Sequence, residues 1–496
     1  MMTARMNAAP WTLGRLLDGL APVSHGAGLP VGGLCSDSRQ CRPGDLFLAW
    51  PGARQHGLAH LAAAEQAGAV AVIYDPIGIA APPATGLPLL PVPELRALTG
   101  RLADRFFGMP SGDMAVIGVT GTNGKTSVCH FLAQALDAPE SRCAVVGTVG
   151  NGFPGELRPA THTTPDAIAL HAELARLRDL GARRVALEVS SHALDQDRVA
   201  GVCVDTAVFT NLTHEHLDYH GDMDGYGTVK RRLFSQPGLR AAVLNVDDPQ
   251  GAAWRSELAS DLEVLGYGFA ADADVRGMDL QLDASGLEVK VATTHGTGRL
   301  RSGLLGQFNA SNLLAALSVL LQVGIGFDEA LTRLARVHTV PGRMERFGSE
   351  HGPLAVVDYA HTPDALGAAL AALRDHCRGR LWCVFGCGGD RDAAKRPLMG
   401  AAAEVGADGV VVTDDNPRHE DGAAIAEAIV AGMREPGRVE VVLDRGAAIT
   451  QVLRQAAVDD VVLVAGKGHE TVQQVGDELR PFSDRALVRR LQEARA

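Results

Sequence analysis

Short apolar runs of strand length alternate with stretches of helical periodicity along almost the whole chain. Such alternation is typical of α/β proteins, in which helices cover both faces of mostly parallel sheets. Ligands of open parallel sheets bind beyond the carboxyl ends of the strands, so the residues after each run are candidates for function. The runs are DLFLAW, AVAVIY, MAVIGVTG, RCAVVGTVG, RRVALEVS, DTAVFTNL, AAVLNVDD, LAVVDYAH, LWCVFGCGG, GVVVTDD and DVVLVAGKG.

One segment departs from this pattern. Residues 263–306 show period-two alternation with glycine turns, which predicts an antiparallel hairpin region inserted in the middle of the chain. A chain of 496 residues is too long for one hydrophobic core, and roughly 150 residues per domain predicts about three domains. Proline and glycine near 107–114 and 338–345 mark the boundaries. The predicted domains are 1–110, 111–340 and 341–496.

The composition predicts a soluble, cytoplasmic protein. A net charge of −12 argues against a nucleic-acid or anionic-membrane surface, because both need clustered Lys and Arg. The eight cysteines include no Cys-x-x-Cys pair, and a chain of this size does not need disulfides, so we expect reduced thiols. Arg15 and Asp18 interrupt the start, where an export signal would be apolar, and no 18-residue apolar run occurs elsewhere, so we expect no membrane insertion.

The segment VIGVTGTNGKTSV joins an apolar run to a helical pattern and predicts a phosphate-binding loop. Gly121 and Gly124 let backbone N–H groups approach an anion. Lys125 supplies positive charge, and the hydroxyl of Thr126 can bind magnesium. The general motif has glycine where this chain has Val119, so one glycine is displaced. The alternative is an ordinary glycine-rich turn whose lysine faces solvent.

Acidic residues and histidines follow two later runs. Glu188 follows the run RRVAL, and the next run is followed by His214, His216, Asp218 and His220. A metal beside a triphosphate needs oxygen ligands and tolerates imidazole, so Glu188 and one histidine are candidate ligands. The alternatives are ordinary loop acids and capping histidines, or a zinc hydrolase site of the His-x-His-x-Asp-His type. Tyr219 adds one residue to that zinc pattern and disfavours it.

Several segments share one order along nearly the whole chain: SDSRQCRPGDLF, TGTNGKT, EVSSHALDQDRV, NLTHEHLDYHGDM, GQFNASNLLAA, PGRMER, DYAHTPDAL, FGCGGDRDAAKRP, TDDNPR and AGKGHE. Together they resemble the Mur ligases of peptidoglycan synthesis, and the C-terminal segments resemble the members that add the third amino acid. The phosphate loop of that family carries its glycines in the same displaced arrangement. The resemblance therefore supports a true phosphate site.

The resemblance implies an α/β protein of three domains: a smaller N-terminal UDP-sugar-binding domain, a central P-loop-type ATP-binding domain with a mostly parallel sheet, and a C-terminal Rossmann-like domain that binds the amino acid. It implies that ATP phosphorylates the D-glutamate carboxylate of UDP-MurNAc-L-Ala-D-Glu and that the amine of meso-diaminopimelate displaces phosphate from the acyl phosphate. Two magnesium ions assist. We also expect a monomer whose third domain closes on substrate.

The resemblance assigns roles to individual residues. Thr126 and Glu188 would bind one magnesium ion and His216 the second, while Lys230 would be carbamylated and serve as a further oxygen ligand. The predicted catalytic residues are Lys125, Glu188, His216 and Lys230. The predicted nucleotide contacts are Gly121, Thr122, Asn123, Gly124, Lys125, Thr126, Asn309, Arg343, Asp358 and His361. The predicted contacts of the UDP-sugar peptide are Ser38, Thr163, Thr164, Ser190, Gln196 and Arg198.

Without the family, several of these residues have plainer interpretations. Lys230, beside Arg231 and Arg232, would be a solvated lysine on a helix. Asn309 would cap the helix that follows it, and Thr164, before a proline, would cap another.

The segment TDDNPRHED concerns the incoming amino acid. Diaminopimelate carries a distant carboxylate that lysine lacks, and the planar guanidinium of Arg418 suits a carboxylate. The resemblance implies that diaminopimelate contacts Arg391, Asp415, Asn416, Pro417, Arg418, the carbonyl of Gly466 and Glu470. The alternative is an Asp-Asn-Pro turn with a surface arginine.

Two other functions remain open from the sequence. Folylpolyglutamate synthase is a relative with similar phosphate chemistry, but it lacks the N-terminal UDP-sugar segment and the Asp-Asn-Pro-Arg segment. A regulatory or scaffold protein could bind ATP without ligating anything. Intact Lys125, Glu188, His216 and Lys230 argue against such an inactive protein.

Overall fold

The computed structural model describes residues 11–52, 55–258, 262–348 and 351–495, and confirms a mixed α/β fold with parallel-rich sheets. The first ten residues, where we expected no export signal, lie outside the described residues. Two compact units divide the chain: Met1–Gly266 with Ser318–Gln322, and Tyr267–Leu317 with Val323–Ala496. The division into three domains at 110 and 340 stays a prediction.

A small parallel sheet opens the first unit. Its strands lie in chain order: β1 (Gly33–Cys35), β2 (Asp45–Ala49), β3 (Ala71–Tyr74) and β4 (Leu89–Pro91). Strands β2 and β3 are buried along their whole length, which is why they read as continuous apolar runs. The helices of this part are α1 (Leu13–Leu17), α2 (Leu61–Gln66) and α3 (Leu95–Phe106).

A larger sheet forms the rest of the first unit. Its strands are β5 (Ala115–Thr120), β6 (Arg142–Gly147), β7 (Gly150–Phe153), β8 (Glu156–Arg158), β9 (Ala182–Glu188), β10 (Thr206–Phe209) and β11 (Ala241–Asn245). Their order is β11-β10-β5-β9-β6-β7-β8, parallel from β11 to β6 and antiparallel from β6 to β8. Strand β5 therefore lies between β10 and β9, and the carboxyl ends of these three strands are neighbours.

Helices connect the strands of the larger sheet. They are α4 (Lys125–Leu136), α5 (Ala167–Asp179), α6 (Ser191–Asp195), α7 (Leu217–His220), α8 (Met223–Arg231) and α9 (Pro249–Glu257). Asp166 caps α5 by accepting a hydrogen bond from the N–H of Ala169 (3.0 Å). The alternative in which Thr164 is the cap is therefore wrong.

Antiparallel strands lie near the middle of the chain, as predicted. Strand β12 (Glu263–Gly268) precedes three strands that pair antiparallel in chain order: β13 (Val275–Asp283), β14 (Gly286–Thr293) and β15 (Gly296–Ser302). Helices α10 (Gln307–Gln322) and α11 (Phe327–Leu334) follow. Because α10 begins at Gln307, Asn309 lies within its first turn and is not its cap.

The second unit contains a doubly wound sheet. Its strands are β16 (Glu345–Phe347), β17 (Leu354–Asp358), β18 (Leu381–Phe385), β19 (Gly409–Val412), β20 (Glu440–Val441) and β21 (Val461–Ala465). Their order is β16-β17-β21-β18-β19-β20, and all pairs are parallel except β16 with β17. Successive residues of one strand face different cores, as Val356 and Val357 of β17 show.

Helices cover both faces of this sheet. On one face lie α12 (Pro363–Arg374), α13 (Lys395–Gly406) and α14 (Gly422–Val430), and on the other lie α15 (Arg445–Gln455) and α16 (Asp484–Glu493). A hairpin of β22 (Val472–Val475) and β23 (Glu478–Pro481) precedes α16. This hairpin was not predicted from the sequence, because its strands are short and polar.

Among the described helices, none combines the length and apolar character needed to cross a bilayer. All eight cysteines carry free thiols, as the sequence predicted.

Candidate active site

The glycine turn of the predicted phosphate loop lies between β5 and α4. Val119 is still inside β5, where it pairs with Glu188 of β9, so the turn begins only at Gly121. Gly121 has a φ of +148°, and a Cβ atom there would lie 1.9 Å from Oγ1 of Thr210. Only glycine fits this position, which is the physical reason for the displaced glycine.

The carboxyl end of β10 supports the turn. Asn211 accepts hydrogen bonds from the N–H of Thr122 at its main-chain oxygen (2.8 Å) and from the N–H of Asn123 at its side-chain oxygen (2.8 Å). Helix α4 then begins at Lys125. The first N–H groups of a helix lack acceptors within it, so they are available to a phosphate.

Two lysines meet at the turn. Nζ of Lys125 donates to the carbonyl oxygens of Gly121 (2.9 Å) and Thr122 (2.8 Å). Nζ of Lys230, on α8, donates to the same Gly121 oxygen (2.8 Å) and lies 4.3 Å from the centre of the Tyr226 ring. Lys230 is only 1% exposed, so its interpretation as a solvated lysine is wrong. Burial, reinforced by the charge of Lys125, lowers the pKa of Lys230 to about 6.

A fully buried carboxylate, Glu188, lies at the neighbouring strand end. The hydroxyl of Thr126 donates to Oε2 of Glu188 (2.9 Å). Thr148 donates to the same carboxylate, through its N–H to Oε1 (2.9 Å) and through its hydroxyl to Oε2 (3.1 Å). Burial raises the pKa of Glu188, although the Thr148 hydrogen bond and the Lys125 charge oppose the shift. A carboxylate and a hydroxyl this close form an oxygen donor set that fits magnesium.

His216 lies apart from that donor set in the described hydrogen bonds. It precedes α7 in the left-handed conformation (φ +57°), and its side chain is about half exposed. Its ring stands perpendicular to that of His192, with centroids 5.1 Å apart. No described hydrogen bond joins His216 to Thr126 or Glu188, so its role as a metal ligand stays a prediction.

The zinc alternative stays a hypothesis, because the side chain of Asp218 lies outside the described residues. Among the described residues, the only close group of three His, Cys, Asp or Glu ligand atoms consists of Cys35, Cys41 and Asp45. Nε2 of His220 instead lies 2.9 Å from Oγ of Ser191.

The residues predicted to contact the UDP-sugar peptide form, with one exception, a single network next to Glu188. The hydroxyl of Thr164 donates to the main-chain oxygen of Glu188 (2.7 Å) and lies 3.4 Å from Oγ of Ser190. Arg198 donates to the carbonyl of Thr164 (2.9 Å) and to Oε1 of Gln196 (2.6 Å).

Thr163 belongs to the same network, since its hydroxyl oxygen lies 3.0 Å from the hydroxyl oxygen of Thr148. Ser38 is the exception. It lies in the loop between β1 and β2, where Arg39 pairs with Asp37 (2.7 Å), and no described hydrogen bond joins it to the network.

The predicted nucleotide contacts of the second unit gather around Tyr359. Arg343 stacks its guanidinium 4.9 Å from the centre of the Tyr359 ring, and Nδ1 of His361 lies 2.8 Å from the Tyr359 carbonyl oxygen. Asp358 ends β17 and accepts a hydrogen bond from the N–H of Met344 (2.7 Å). Burial raises the pKa of Asp358.

Asn309 is not joined to this group by a described contact. It is buried in α10, where its Nδ2 donates to the carbonyl of Leu305 (2.8 Å) and its Oδ1 accepts from Asn312 (3.1 Å).

The predicted amino-acid contacts lie at the carboxyl ends of β18, β19 and β21. Asn416 donates to Glu470 (2.9 Å), and Nζ of the buried Lys467 bridges Oδ1 of Asn416 (2.9 Å) and Oε2 of Glu470 (2.8 Å). Gly466 has a φ of +115°, and a Cβ there would lie 2.5 Å from Oδ2 of Asp415. The two loops are therefore in direct contact.

Arg418 is partly buried and does not extend freely into solvent. Its guanidinium donates to the carbonyl of Gly389 (2.7 Å), and a Cβ at Gly388 would lie 2.9 Å from that guanidinium and 3.7 Å from Cγ of Arg391. Its backbone has a φ of +52° and forms an isolated β-bridge with Val475 of the β22–β23 hairpin. Pro417 is buried beside it. The side chains of Arg418, after β19, and Arg391, after β18, thus both lie close to Gly388.

Sequence comparison places these features in one family. The family models described as Mur ligase family, catalytic domain; Mur ligase middle domain; and Mur ligase, glutamate ligase domain match residues 30–107, 119–320 and 342–468. The chain belongs to the Mur ligase family. The resemblance drawn from the sequence motifs is thereby confirmed.

Individual Mur ligases match over nearly the full length. The UDP-N-acetylmuramoyl-L-alanyl-D-glutamate–2,6-diaminopimelate ligase of Alkalilimnicola ehrlichii is 53% identical over 92% of this chain and 94% of its own. The enzyme of that name from Pseudomonas aeruginosa is 51% identical over 91% and 93%. A solved structure of a ligase of that name superimposes with a TM-score of 0.76 at 35% identity, covering 98% of this chain and 99% of its own.

Several residues of these sites were not predicted from the sequence. Asn211, Thr148 and Lys467 all follow apolar runs, so their position at strand ends was an available signal. Tyr226 has no such signal, because it lies within α8 and contacts Lys230 only through the helical spacing of four residues.

Proposed function

We propose that this Mur ligase joins meso-diaminopimelate to UDP-MurNAc-L-Ala-D-Glu at the expense of ATP. The reaction makes an amide from a carboxylate, and a carboxylate is a poor electrophile. ATP therefore first phosphorylates the D-glutamate carboxylate, and the amine then displaces phosphate from the acyl phosphate through a tetrahedral intermediate. The observation that carries the proposal is the glycine turn with Lys125 and Thr126 beside the fully buried Glu188.

Phosphoryl transfer to a carboxylate brings negatively charged groups together, so positioning and charge neutralisation dominate catalysis. The N–H groups at the start of α4 bind phosphate oxygens. Nζ of Lys125, which otherwise rests on the carbonyls of Gly121 and Thr122, swings toward the phosphates and neutralises them. Its two carbonyl acceptors keep it at the turn until nucleotide arrives.

Magnesium fits the oxygen atoms of Thr126 and Glu188, which lie 2.9 Å apart. His216 would hold a second ion. When bound, magnesium offsets the charge between the phosphate and carboxylate oxygens. The chain's own contribution is to orient Glu188, and Thr148 does so with two hydrogen bonds.

Lys230 is suited to carbamylation. Its pKa of about 6 leaves the amine neutral at cytoplasmic pH, and a neutral amine is the form that reacts with carbon dioxide. The carbamate would replace a buried amine by an anionic oxygen ligand, and the cationic Lys125 near the same carbonyl would stabilise that anion.

Acceptor recognition uses the strand ends of the second unit. Arg418 and Arg391 provide guanidinium groups for the distant carboxylate of diaminopimelate, and Glu470 with the carbonyl of Gly466 provides acceptors for its distant ammonium. Asn416, Asp415 and Pro417 shape the loop that carries Arg418. Lysine has no distant carboxylate, so it would leave the guanidinium groups without a partner.

The network of Thr163, Thr164, Ser190, Gln196 and Arg198 would bind the UDP-sugar peptide next to Glu188, with Ser38 contributing from the smaller sheet. Arg343, Asp358, His361 and Asn309 would contact nucleotide. We further propose a cytoplasmic monomer with domain boundaries near 110 and 340.

The relatives distinguish this proposal from its nearest rival. A solved folylpolyglutamate synthase of Mycobacterium tuberculosis covers only 75% of this chain, at 22% identity and a TM-score of 0.59, so it supports the fold alone. The diaminopimelate ligases match more than nine tenths of the chain at over 50% identity.

An acceptor assay tests the function. Purified protein is given ATP, magnesium and UDP-MurNAc-L-Ala-D-Glu, and phosphate release is compared with diaminopimelate, with L-lysine and with no acceptor. We expect release with diaminopimelate and the coupled tripeptide product by mass spectrometry. Equal phosphate release with L-lysine would contradict the proposal that diaminopimelate is the specific acceptor. Phosphate release that needs no acceptor would indicate an ATPase without ligation.

A further inference from the structure

A buried ion pair joins two helices on one face of the C-terminal sheet. Arg445 is the first residue of α15 and Asp484 the first of α16, and both side chains are 0% exposed. The guanidinium binds the carboxylate with two bonds, Nε to Oδ1 (2.7 Å) and Nη2 to Oδ2 (2.7 Å). Neither residue belongs to the acceptor site described above.

The same guanidinium reaches two strand ends. Nη1 of Arg445 donates to the carbonyl of Asp414, after β19, and Nη2 donates to the carbonyl of Ala465, the last residue of β21 (3.2 and 2.9 Å). Strand β18 separates β19 from β21 in the sheet. Arg445 therefore ties together two strands that are not hydrogen-bonded to each other.

The tied positions lie directly before the acceptor loops. Asp415 follows Asp414, Gly466 follows Ala465, and these two residues are in contact, since a Cβ at Gly466 would lie 2.5 Å from Oδ2 of Asp415. Burial raises the pKa of Asp415, and the charge of Arg445 is the largest influence opposing that shift. Arg445 thus acts on both the position and the charge of this loop.

Stability alone is a weak reason for such a pair. Taking two charges out of water costs about as much as their attraction returns, and apolar side chains of similar size often replace a buried pair without loss. A cation at the first position of a helix also opposes the helix dipole. The two carbonyl contacts, which an apolar pair cannot make, are what the arginine adds.

We propose that Arg445, oriented by Asp484, is a positioning residue that holds the Asp415 and Gly466 loops at the spacing needed to bind the amino-acid acceptor. The inference deepens the proposed function and rests on it. Arg445 does not touch the acceptor. Its effect is to keep Asp415 and Asn416, after β19, at a fixed distance from Gly466, after β21.

The test compares an apolar replacement with a conservative one. The double variant Arg445→Met with Asp484→Leu removes both charges of the pair, whereas Arg445→Lys keeps both charges but loses the planar fork of the guanidinium. The control is Arg374→Met, which breaks the pair of Arg374 with Asp408 (2.8 Å). Asp408 directly precedes β19, so this pair lies at the amino ends of the strands, away from the acceptor loops. For each variant we measure the KM for diaminopimelate, the KM for the UDP-dipeptide, kcat and the thermal midpoint.

We expect the KM for diaminopimelate to rise about tenfold or more in the double variant, since a shift of about 1 Å in a binding group costs up to about a hundredfold. The KM for the UDP-dipeptide should stay within about twofold. The KM for diaminopimelate of Arg445→Lys should fall between those of the wild type and the double variant. Arg374→Met should have the KM values and kcat of the wild type. Unchanged KM for diaminopimelate in both Arg445 variants, whatever the thermal midpoint, would overturn the proposal.

Amide hydrogen exchange provides a readout that does not need catalysis. Loss of the tie should speed exchange at residues 413–418 and 465–470 more than in the rest of the sheet. If the double variant does not fold, hydrogen exchange is measured on Arg445→Lys. Exchange that is uniform across the sheet in the variant measured would also overturn the proposal. Failure of the wild type to use diaminopimelate would instead contradict the proposed function itself.

Discussion

Lys125 and Lys230 direct their side-chain nitrogens to one acceptor, the carbonyl oxygen of Gly121, at 2.9 and 2.8 Å. Two ammonium groups so close repel each other. Lys230 is only 1% exposed, whereas Lys125 is half-buried. Lys230 therefore gives up its proton, with a pKa of about 6. Burial lowers the pKa of Lys125 as well, although the charges of Glu188 and Glu215 oppose that shift, and Lys125 is the lysine that faces the phosphates in the proposed mechanism.

Lys230→Met should stabilise the protein near neutral pH. The pKa of Lys230 falls from 10.5 to about 6 on folding, so between these values the unfolded chain binds a proton that the folded protein does not. Stability of the wild type therefore rises with pH through this window, and the advantage of the methionine variant shrinks. Thermal midpoints of the variant and the wild type, from pH 7 to 9.5 in carbonate-free buffer, measure this stability difference. Arg231→Met, at the half-buried neighbour whose guanidinium pairs with Glu257 (2.9 Å), should show no such trend, and a pH-independent difference for Lys230→Met would contradict the assignment.

Lys230→Ala should lose most ligation, by about a hundredfold or more, because one oxygen ligand of the phosphoryl-transfer site disappears. Bicarbonate should not restore activity, since no amine remains to be carbamylated, whereas carbonate-depleted wild type should recover with bicarbonate. Phosphate release with all three substrates measures both. Arg231→Ala is the control, and full activity of Lys230→Ala would mean that no carbamate is needed.

Gly121→Ala should impair folding and nucleotide binding together. A Cβ at this position would lie 1.9 Å from Thr210, and the left-handed conformation adds strain of about 1–3 kcal/mol. The thermal midpoint and calorimetric titration with ADP measure the two effects. Gly112→Ala, which has open space around its Cβ, should leave both unchanged. Normal ADP binding by Gly121→Ala would exclude the turn as the phosphate site.

Glu188→Gln should raise the magnesium concentration needed for half-maximal activity about 10- to 100-fold, as expected when a metal-binding group loses its charge. Chelation should inactivate the wild type, and added magnesium should restore it. Glu156→Gln, at an exposed position of β8, is the matched control. An unchanged magnesium dependence would remove Glu188 from the metal site.

Arg418→Ala should cost about 2–4 kcal/mol in kcat/KM for diaminopimelate, or roughly 30- to 1000-fold, because a carboxylate loses its two-pronged partner. Arg418→Lys should recover little of this, since an ammonium cannot replace the planar fork. His419→Ala, at the exposed neighbouring residue, should behave as wild type. Steady-state kinetics that are the same for Arg418→Ala and wild type would exclude Arg418 from acceptor binding.

The sequence predicted the long buried strands well, because a strand covered on both faces reads as a continuous apolar run, as β18 and β21 do. The short polar strands β22 and β23 lack that signal, although they support the backbone of Arg418. Strand ends were predicted together with the strands, so Glu188 was placed at a strand end from its run alone, whereas Asp358 became a candidate only through the family resemblance.

Contacts across long stretches of chain were not predictable. The burial of Lys230 depends on Gly121, more than a hundred residues earlier, and nothing in the local pattern of α8 indicates it. Arg445 and Asp484 are separated by 39 residues and read as the ordinary starts of two helices. The family resemblance supplied Lys230 but not Arg445, because only the packed sheet brings that arginine to two strand ends.

The central claim is that ATP makes the D-glutamate carboxylate electrophilic by phosphorylating it. The most direct test starts from UDP-MurNAc-L-Ala-D-Glu with both side-chain carboxylate oxygens labelled with ¹⁸O. Attack of the amine on the acyl phosphate expels phosphate with the bridging oxygen, so each released phosphate should carry one ¹⁸O atom by mass spectrometry. Unlabelled phosphate released in step with tripeptide formation would contradict the account.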